Sequence, residues 1–148
     1  MKTKKLPNRF ALANYSLPDM YGSWLGYEVV KINRKNGTAR LGLSLQDKHL
    51  SAAGKIHGGV ISGFFDFACG ASVFLTMGPQ DYCSTVELKV NYFSPLFSGD
   101  ELYCDSRIVF RGKRLAVSHA LLYRKGQKKP VAMATGTFNI VSKLMNKP

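Results

Sequence analysis

The chain has 148 residues, of which 45% are hydrophobic and 20% are charged, a composition typical of one globular domain and not of a disordered or fibrous protein. Lysine and arginine number 21 against 9 for aspartate and glutamate, which gives a formal net charge of +12. This excess predicts an anionic partner: nucleic acid, an anionic membrane surface or a phosphate-bearing small molecule.

The first part of the chain predicts a short leader and then a hairpin. Residues 1–20 are basic and irregular, with Pro7 and Pro18 as breakers, so we expect a leader or a partly helical flap. No apolar segment follows the first lysines, and the opening does not resemble a secretory signal. Residues 27–32 and 39–45 are rich in strand formers and flank the turn signal Asn36-Gly37, which predicts a β-hairpin.

The central segment predicts one long buried helix. The apolar run at residues 60–77 is too long for a strand, and Gly78-Pro79 ends it. Residues 58–78 are about as long as a membrane span. Asp66 at the centre and four glycines argue against insertion, so we expect a soluble fold without a membrane partner.

The remaining chain predicts only strands. Val86, Leu88, Val90 and Tyr92 alternate with polar residues beginning at Thr85, a period of two. Further strands are expected near residues 102–110, 115–123 and 131–141, with a loose tail at 142–148. One helix against five or six antiparallel strands is a two-layer α+β design, which we place at residues 21–141.

Helical spacing sorts the central helix into two faces. One face carries small or polar residues that would permit close approach of a second helix or a slender ligand: Gly59, Ser62, Gly63, Asp66, Cys69, Gly70 and Val73. The other carries bulky residues expected to lie on the sheet: Ile61, Phe64, Phe65, Ala68, Ala71 and Leu75. A carboxylate on an apolar helix is costly unless it is paired or used, so Asp66 is either satisfied by a neighbour or functional.

His57-Gly58-Gly59 stands directly before this helix. Glycines there expose N–H groups at the positive end of the helix dipole, suited to a developing oxyanion or a phosphate, although a tight turn alone would also require glycine. Gly58 and Asp66 are eight residues apart, roughly 12 Å along a helix, too far to act on one carbonyl carbon. If they form one site, a two-fold axis must bring Asp66 of one chain to Gly58 of another.

These motifs resemble those of the hotdog-fold acyl-CoA thioesterases, in particular the phenylacetate-degradation (PaaI-type) branch. The resemblance extends over residues 20–141 and rests on an ordered set of motifs: residues 54–60 (GKIHGGV), Asp66, residues 85–95 (TVELKVNYFSP), Gly99-Asp100 and residues 111–116 (RGKRLA). It implies a helix wrapped by a curved antiparallel sheet, a homodimer with a continuous sheet, often a dimer of dimers, and thioester hydrolysis without metal or cofactor.

The resemblance also implies roles for individual residues. Asp66 matches the catalytic carboxylate, as general base on water or as nucleophile. The Gly58 N–H would polarise the carbonyl, with Gly59 in the same substrate-binding turn, and His57 would orient the loop or lie near the sulfur. Thr85 falls where a hydroxyl supports the carboxylate or its water. Ser51 stands where members commonly carry asparagine, and it has a shorter reach and fewer polar groups.

The basic excess has a specific interpretation in this family. Arg111, Lys113 and Arg114 in a strand turn could bind the phosphates of coenzyme A, or could serve only solubility. No recognition helix, RNA-binding motif or zinc ligand set is present, so nucleic acid is not expected. Cys69, Cys83 and Cys104 form no CxxC pair, which favours a reducing compartment, the cytoplasm.

Three functions compete at this stage. The first is an acyl-CoA thioesterase acting on an aryl or medium-chain acyl group, because aromatic residues, among them Phe67, Tyr92 and Phe93, are numerous enough to line a pocket. The second is a non-catalytic module of the same fold that binds acyl-CoA as a sensor. A hydratase ranks lower, since no histidine pairs with a helical glutamate. A nucleophilic role for Cys69 is less expected than simple burial of a thiol.

Overall fold

The computed structural model describes residues 19–142. The described helices are α1 (Met20–Leu25) and α2 (Gly58–Phe74), with a 3₁₀ turn at Asp47–His49. The strands are β1 (Glu28–Asn33), β2 (Thr38–Ser44), β3 (Asp81–Tyr92), β4 (Glu101–Arg111), β5 (Leu115–Arg124) and β6 (Ala132–Ser142). They form one antiparallel sheet in the order β1-β2-β4-β5-β6-β3. The predicted α+β architecture is therefore confirmed.

The core lies between α2 and one face of the sheet. Inward positions of β5 and β6 alternate with half-buried ones and are mostly small, as at Ala116, Ala120 and Ala134. Small residues let the helix approach closely: a Cβ added to Gly136 would stand 3.2 Å from the Cβ of Cys69. The polar exception in this layer is a buried hydroxyl pair, Ser72 Oγ and Ser118 Oγ, 2.6 Å apart. Phe64 and Phe65 are fully buried and fill the remaining space.

Several predicted boundaries and faces need correction. The helix was expected at residues 60–77 but spans Gly58–Phe74, because His57 caps it early and Leu75 ends it before Gly78. Cys69 and Val73 were placed on the small-residue face, yet both are fully buried. The drift of the helical repeat turns these later positions toward the sheet.

The ends of the domain also differ slightly from expectation. Met20, assigned to the leader, begins α1, and Ser142, assigned to the loose tail, ends β6. The predicted character of residues 1–18 and 143–148 lies outside the described residues.

Candidate active site

The N-terminus of α2 presents a backbone amide without a protein partner. His57 has extended backbone angles and caps the helix, with its Nδ1 accepting from the Gly59 N–H at 2.9 Å. The Val60 N–H donates to the His57 carbonyl at 3.0 Å. Within residues 19–142 this leaves the Gly58 N–H with no acceptor, at the end of the helix where partial positive charge accumulates.

The first turn of α2 is also held from its carbonyl side. Tyr92, at the end of β3, donates its hydroxyl to the Gly58 carbonyl at 2.9 Å. A cavity of about 290 Å³ opens beside this contact, lined by Lys55, Ile61, Tyr92, Phe93 and Leu96 among others. Tyr92 was expected only as a candidate pocket aromatic, and its hydrogen bond to the helix could not be read from the sequence.

Asp66 lies half-buried in the middle of the helix and is hydrogen-bonded on one oxygen only. Thr85 of β3 donates its hydroxyl to Asp66 Oδ1 at 2.7 Å. No described residue bonds to Oδ2. The pairing of a hydroxyl residue at Thr85 with the helical carboxylate is therefore present in the structure.

A β-bulge explains how Thr85 reaches the helix. Strict alternation from Leu88 and Val90, which pack against the core, would turn Thr85 to the outer face. The pairing with β6 instead skips Val86: Thr85 opposes Phe138, and Glu87 opposes Thr137. The extra residue reverses the alternation, so the Thr85 side chain, although exposed to solvent, lies on the α2 side of the strand, while Val86 is 62% exposed. The predicted unbroken period of two is wrong at this point.

Gly58 and Asp66 of one chain lie too far apart to act on the same carbonyl group. Gly58 begins the helix and Asp66 lies two turns later, roughly 12 Å along the axis. The α2 side chains between them on the side away from the sheet are small, Ser62 and Gly63. On this side the helix itself therefore presents no bulky side chain between Gly58 and Asp66.

The other border of this face is formed by α1. The hydroxyl of Tyr21 lies directly over Gly63, since a Cβ added there would be 2.2 Å from it. The Tyr21 ring stacks on Phe67, next to Asp66, and on Trp24, each at 5.9 Å between centroids. The second helix that the glycine permits is therefore α1 of the same chain. Sequence reasoning missed Tyr21 because it lies at the edge of the irregular leader.

Ser51 does not contact Asp66 or Gly58. Its hydroxyl and its N–H both donate to the Lys55 carbonyl, at 2.9 and 2.8 Å. The Gly54 N–H in turn donates to the Ser51 carbonyl, and Gly54 adopts φ +72°. Ser51 therefore closes the short loop that leads to His57.

The three basic residues predicted to bind phosphate lie at the opposite end of α2 from Gly58. Arg111 donates through Nε to Thr76 Oγ1 at 3.0 Å, just beyond the C-terminus of the helix. Lys113 and Arg114 follow in the β4–β5 turn, and all three are exposed. The structure thus brings these residues together but separates them from the helix N-terminus of the same chain.

The cysteines are unsuited to nucleophilic chemistry. Burial raises the pKa of Cys69 to about 12 and that of Cys83 to about 11, with a smaller contribution from Asp66 in each case. Neither thiol would be ionised near neutral pH. Residues 19–142 contain no cluster of three or more possible metal ligands, and no helix among them is long and apolar enough to cross a membrane.

Comparison with known proteins identifies the family. The sequence model described as "Thioesterase superfamily" matches residues 53–131, which include the end of the loop before α2, α2 itself and the three strands β3, β4 and β5. The chain belongs to this superfamily. A protein of Saccharolobus solfataricus named as an esterase is 30% identical over 116 residues, covering 78% of this chain and 74% of that one.

Solved structures confirm the fold of this thioesterase-superfamily chain. A thioesterase from Haemophilus influenzae superposes with a TM-score of 0.81 at 16% identity, covering 99% of this chain and 97% of the other. The PaaI protein of the E. coli phenylacetic acid degradation operon gives 0.75 at 19% identity, covering 84% and 86%. The predicted hotdog fold, its likeness to PaaI proteins and the class of thioester hydrolase are confirmed.

Proposed function

We propose that this thioesterase hydrolyses an aryl- or medium-chain acyl-CoA at a site formed by two chains, with Asp66 of one and the Gly58 amide of the other. One observation carries the proposal. The free N–H of Gly58 and the free Oδ2 of Asp66 are the donor and the acceptor that thioester hydrolysis needs, and neither has a partner in the described chain.

The chemistry then needs no further group. Water adds to the thioester carbonyl carbon while its proton passes to Asp66 Oδ2, and the Gly58 N–H stabilises the oxyanion. The C–S bond breaks with its electron pair on sulfur, and the proton held by Asp66 passes to the departing thiolate. Direct attack of the Asp66 carboxylate on the carbonyl carbon is the alternative route: the C–S bond breaks with its electron pair on sulfur, and water then hydrolyses the resulting anhydride.

The two-fold arrangement is supported by the edge strand beside Asp66. β3 ends the sheet, so its outer edge can pair with β3 of a second copy and place the two α2 helices antiparallel. In that arrangement the C-terminal end of one helix lies near the loop that precedes the other. Arg111, Lys113 and Arg114 of one protomer would then lie toward Gly58 of the partner subunit, where coenzyme A phosphates could reach them.

The acyl group has aromatic surfaces to bind on either side of the reacting groups. Tyr92 and Phe93 line the cavity next to Gly58, and Tyr21 and Phe67 stack beside Asp66. Flat apolar rings favour aryl and medium-chain groups over acetyl. A panel of acyl-CoA substrates, assayed by release of free thiol, tests this choice directly.

A tetramer would need a second interface, and the outer face of the sheet is its proposed place. Tyr103, Leu121 and Met133 lie half-buried there on adjacent strands. Light scattering at several concentrations would distinguish a dimer from a dimer of dimers.

Replacement of Gly58 by proline is the sharpest test of the amide. Proline is favoured at the first position of a helix, and the extended backbone of His57 (φ −65°, ψ 134°) suits a residue before proline. Gly58→Pro therefore removes the N–H while keeping the helix, and kcat should fall on the order of 10²–10³-fold. Gly58→Ala keeps the N–H and places its Cβ in ordinary contact with Tyr92, so it serves as the matched control.

Mixing two inactive variants tests the shared site. Random exchange of Gly58→Pro with Asp66→Asn gives about half heterodimers, each with one complete site, so about a quarter of wild-type activity should return. No recovery despite exchanged subunits would refute a site shared between two chains. If the wild-type protein binds acyl-CoA but hydrolyses none of the thioesters tested, the alternative function, a non-catalytic module that senses acyl-CoA, would be favoured.

A further inference from the structure

His49 is buried at the centre of the loop that carries the proposed oxyanion donor. It ends the 3₁₀ turn between β2 and α2 and is 1% exposed. Its Nδ1 accepts from the Gln46 N–H at 3.1 Å, and its own carbonyl accepts from the His57 N–H at 3.0 Å. One residue therefore connects the start of the loop to the residue that precedes Gly58.

The hydrogen bond at Nδ1 decides the protonation state of the ring. Because Nδ1 is an acceptor, the neutral imidazole carries its proton on Nε2. Nε2 is buried and has no hydrogen-bond partner of good geometry within residues 19–142. Protonation of Nδ1 would turn its N–H against that of Gln46, placing two donors face to face and a charge inside the protein.

The ring also contacts α1, which borders the same site. The edge of Trp24 packs against His49 with centroids 5.5 Å apart and planes at 81°. Lys48 donates to the Trp24 carbonyl, and its ammonium lies 5.5 Å from the indole centroid. Trp24 is the only tryptophan in the chain, so its fluorescence reports on one place in the fold, where His49, Lys48 and Tyr21 surround the indole.

We propose that neutral His49 is a positioning residue: it holds the loop so that the Gly58 amide meets the thioester carbonyl, and its protonation displaces that amide. The inference rests on the proposed function, since it assigns the Gly58 N–H a role in hydrolysis. His49 touches neither substrate nor reacting atoms. It acts through the His57 N–H, which its carbonyl binds.

The surroundings of His49 favour the neutral ring. Burial is the largest cause that lowers the pKa of His49 below its ordinary value of 6.5, and Lys48 lowers the pKa further, against a smaller opposite effect of the Leu25 carbonyl. Asp47 of the same turn accepts instead from the Ser98 hydroxyl. The ring is therefore neutral at pH 7, and the loop loses this support only as the pH falls below 6.5.

The test compares wild type with two variants by the dependence of kcat on pH. In wild type, kcat should fall in acid with a transition below pH 6.5, and Trp24 fluorescence should follow the same transition. His49→Asn offers an amide oxygen in place of Nδ1 and does not titrate, so kcat at pH 7.5 should stay within about threefold, the fluorescence transition should vanish, and the midpoint of the fall of kcat in acid should move. His49→Leu removes the acceptor and should lower kcat about tenfold at every pH, with KM within about twofold.

His119 supplies a matched control. It is the other histidine whose pKa is lowered by burial, here together with Arg107, and it lies on β5 beside a cavity of the outer sheet face. His119→Asn should leave the acid transition of kcat unchanged.

A readout without substrate separates this inference from the function. The Gly58 amide resonance should shift with the His49 transition in wild type and stay constant in His49→Asn. That result supports the positioning role of His49 whether or not a thioester is hydrolysed. Absence of hydrolysis would defeat the proposed function and not the positioning role. The positioning role is overturned if His49→Asn keeps the acid transition of the Gly58 resonance, or if folded His49→Leu has wild-type kcat.

Discussion

The two edge strands of the sheet differ in length and in what lies beside them. β1 has 6 residues and β3 has 12, and each has one neighbour in the sheet. Both contain a bulge whose extra residue is an exposed valine, Val30 in β1 and Val86 in β3. Shortness, a bulge and Lys31 protect β1 against pairing with another chain, whereas β3 is twice as long and packs against α2.

A β-bulge therefore has a different effect in each edge strand. In β1 the bulge interrupts a short edge, far from the reacting groups. In β3 it reverses the alternation and directs the Thr85 hydroxyl to Asp66. We infer that β1 is a protected edge and β3 the edge at which a second copy completes the site, and each prediction below tests one part of this contrast.

The largest effect is expected at Asp66, on the β3 side. Asp66→Asn keeps the shape and can still accept from Thr85, but the amide cannot take a proton from water. kcat should fall on the order of 10²–10⁴-fold, while the melting temperature changes little. Steady-state hydrolysis and a melting curve on one preparation measure both.

Asp105→Asn is the control on the outer face. Asp105 forms an exposed ion pair with Arg40 at 2.6 Å, and exposed pairs contribute little. Its kcat should equal that of wild type. Near-normal kcat in folded Asp66→Asn would make Asp66 a structural carboxylate.

The next effect compares the two bulge valines directly. Val86→Lys places like charges near each other if β3 pairs with its copy, so the dissociation constant of the dimer should rise roughly 10–100-fold and activity should fall with dilution. Val30→Lys makes the same change on β1 and should alter neither. Sedimentation velocity at several concentrations measures both. Equal behaviour of the two variants would refute the contrast between the edges.

Much of this fold was predictable, and the bulge shows where prediction failed. The long apolar run, the Asn36-Gly37 turn and the alternating strands each follow from local spacing. A bulge has no comparable local signal, because the residues around Val86 alternate regularly in sequence. Only the pairing with β6 and the packing of Leu88 show that Thr85 must lie on the α2 side of the strand.

The site was predictable as a set of residues, but their connections were not. The glycines before the helix and the carboxylate on its small face carry their chemistry in their residue types. The contacts of His49, Tyr21 and Tyr92 could not be predicted because they join residues 25 to 42 positions apart in sequence or depend on burial. Ser51 is the opposite case: its position in the sequence predicted a site residue, whereas its hydroxyl donates to the Lys55 carbonyl within the loop.

A smaller effect is expected at Thr85. Thr85→Val keeps the β-branched shape and removes one hydrogen bond to a carboxylate, about 1.5–3 kcal/mol, so kcat should fall roughly 10–100-fold. Thr85→Ser keeps a hydroxyl and should restore most of the rate. If Thr85→Val and Thr85→Ser lose the same activity, loss of the hydrogen bond to Asp66 does not explain the fall in kcat, and the bulge has only a structural role in β3.

The smallest effect concerns the two basic turns at the end of the sheet where α2 terminates. Arg111, Lys113 and Arg114 lie in and beside the β4–β5 turn, and Arg34 and Lys35 lie in the β1–β2 turn, whose Gly37 carbonyl accepts from the Ile108 N–H. If β3 is the pairing edge, the first set faces the coenzyme A bound by the partner and the second does not. Alanine at all three positions of the first set should raise KM for an acyl-CoA roughly tenfold, since each exposed charge contributes under about 1 kcal/mol. KM for a truncated thioester without the nucleotide should change less than about twofold.

The control is the double variant Arg34→Ala with Lys35→Ala, which removes charge next to β1 and should leave both KM values unchanged. If the triple variant raised KM equally for both thioesters, Arg111, Lys113 and Arg114 would serve only solubility. If the Arg34 and Lys35 variant raised KM for the acyl-CoA, coenzyme A would bind on the β1 side and the assignment to the β3 side would be wrong.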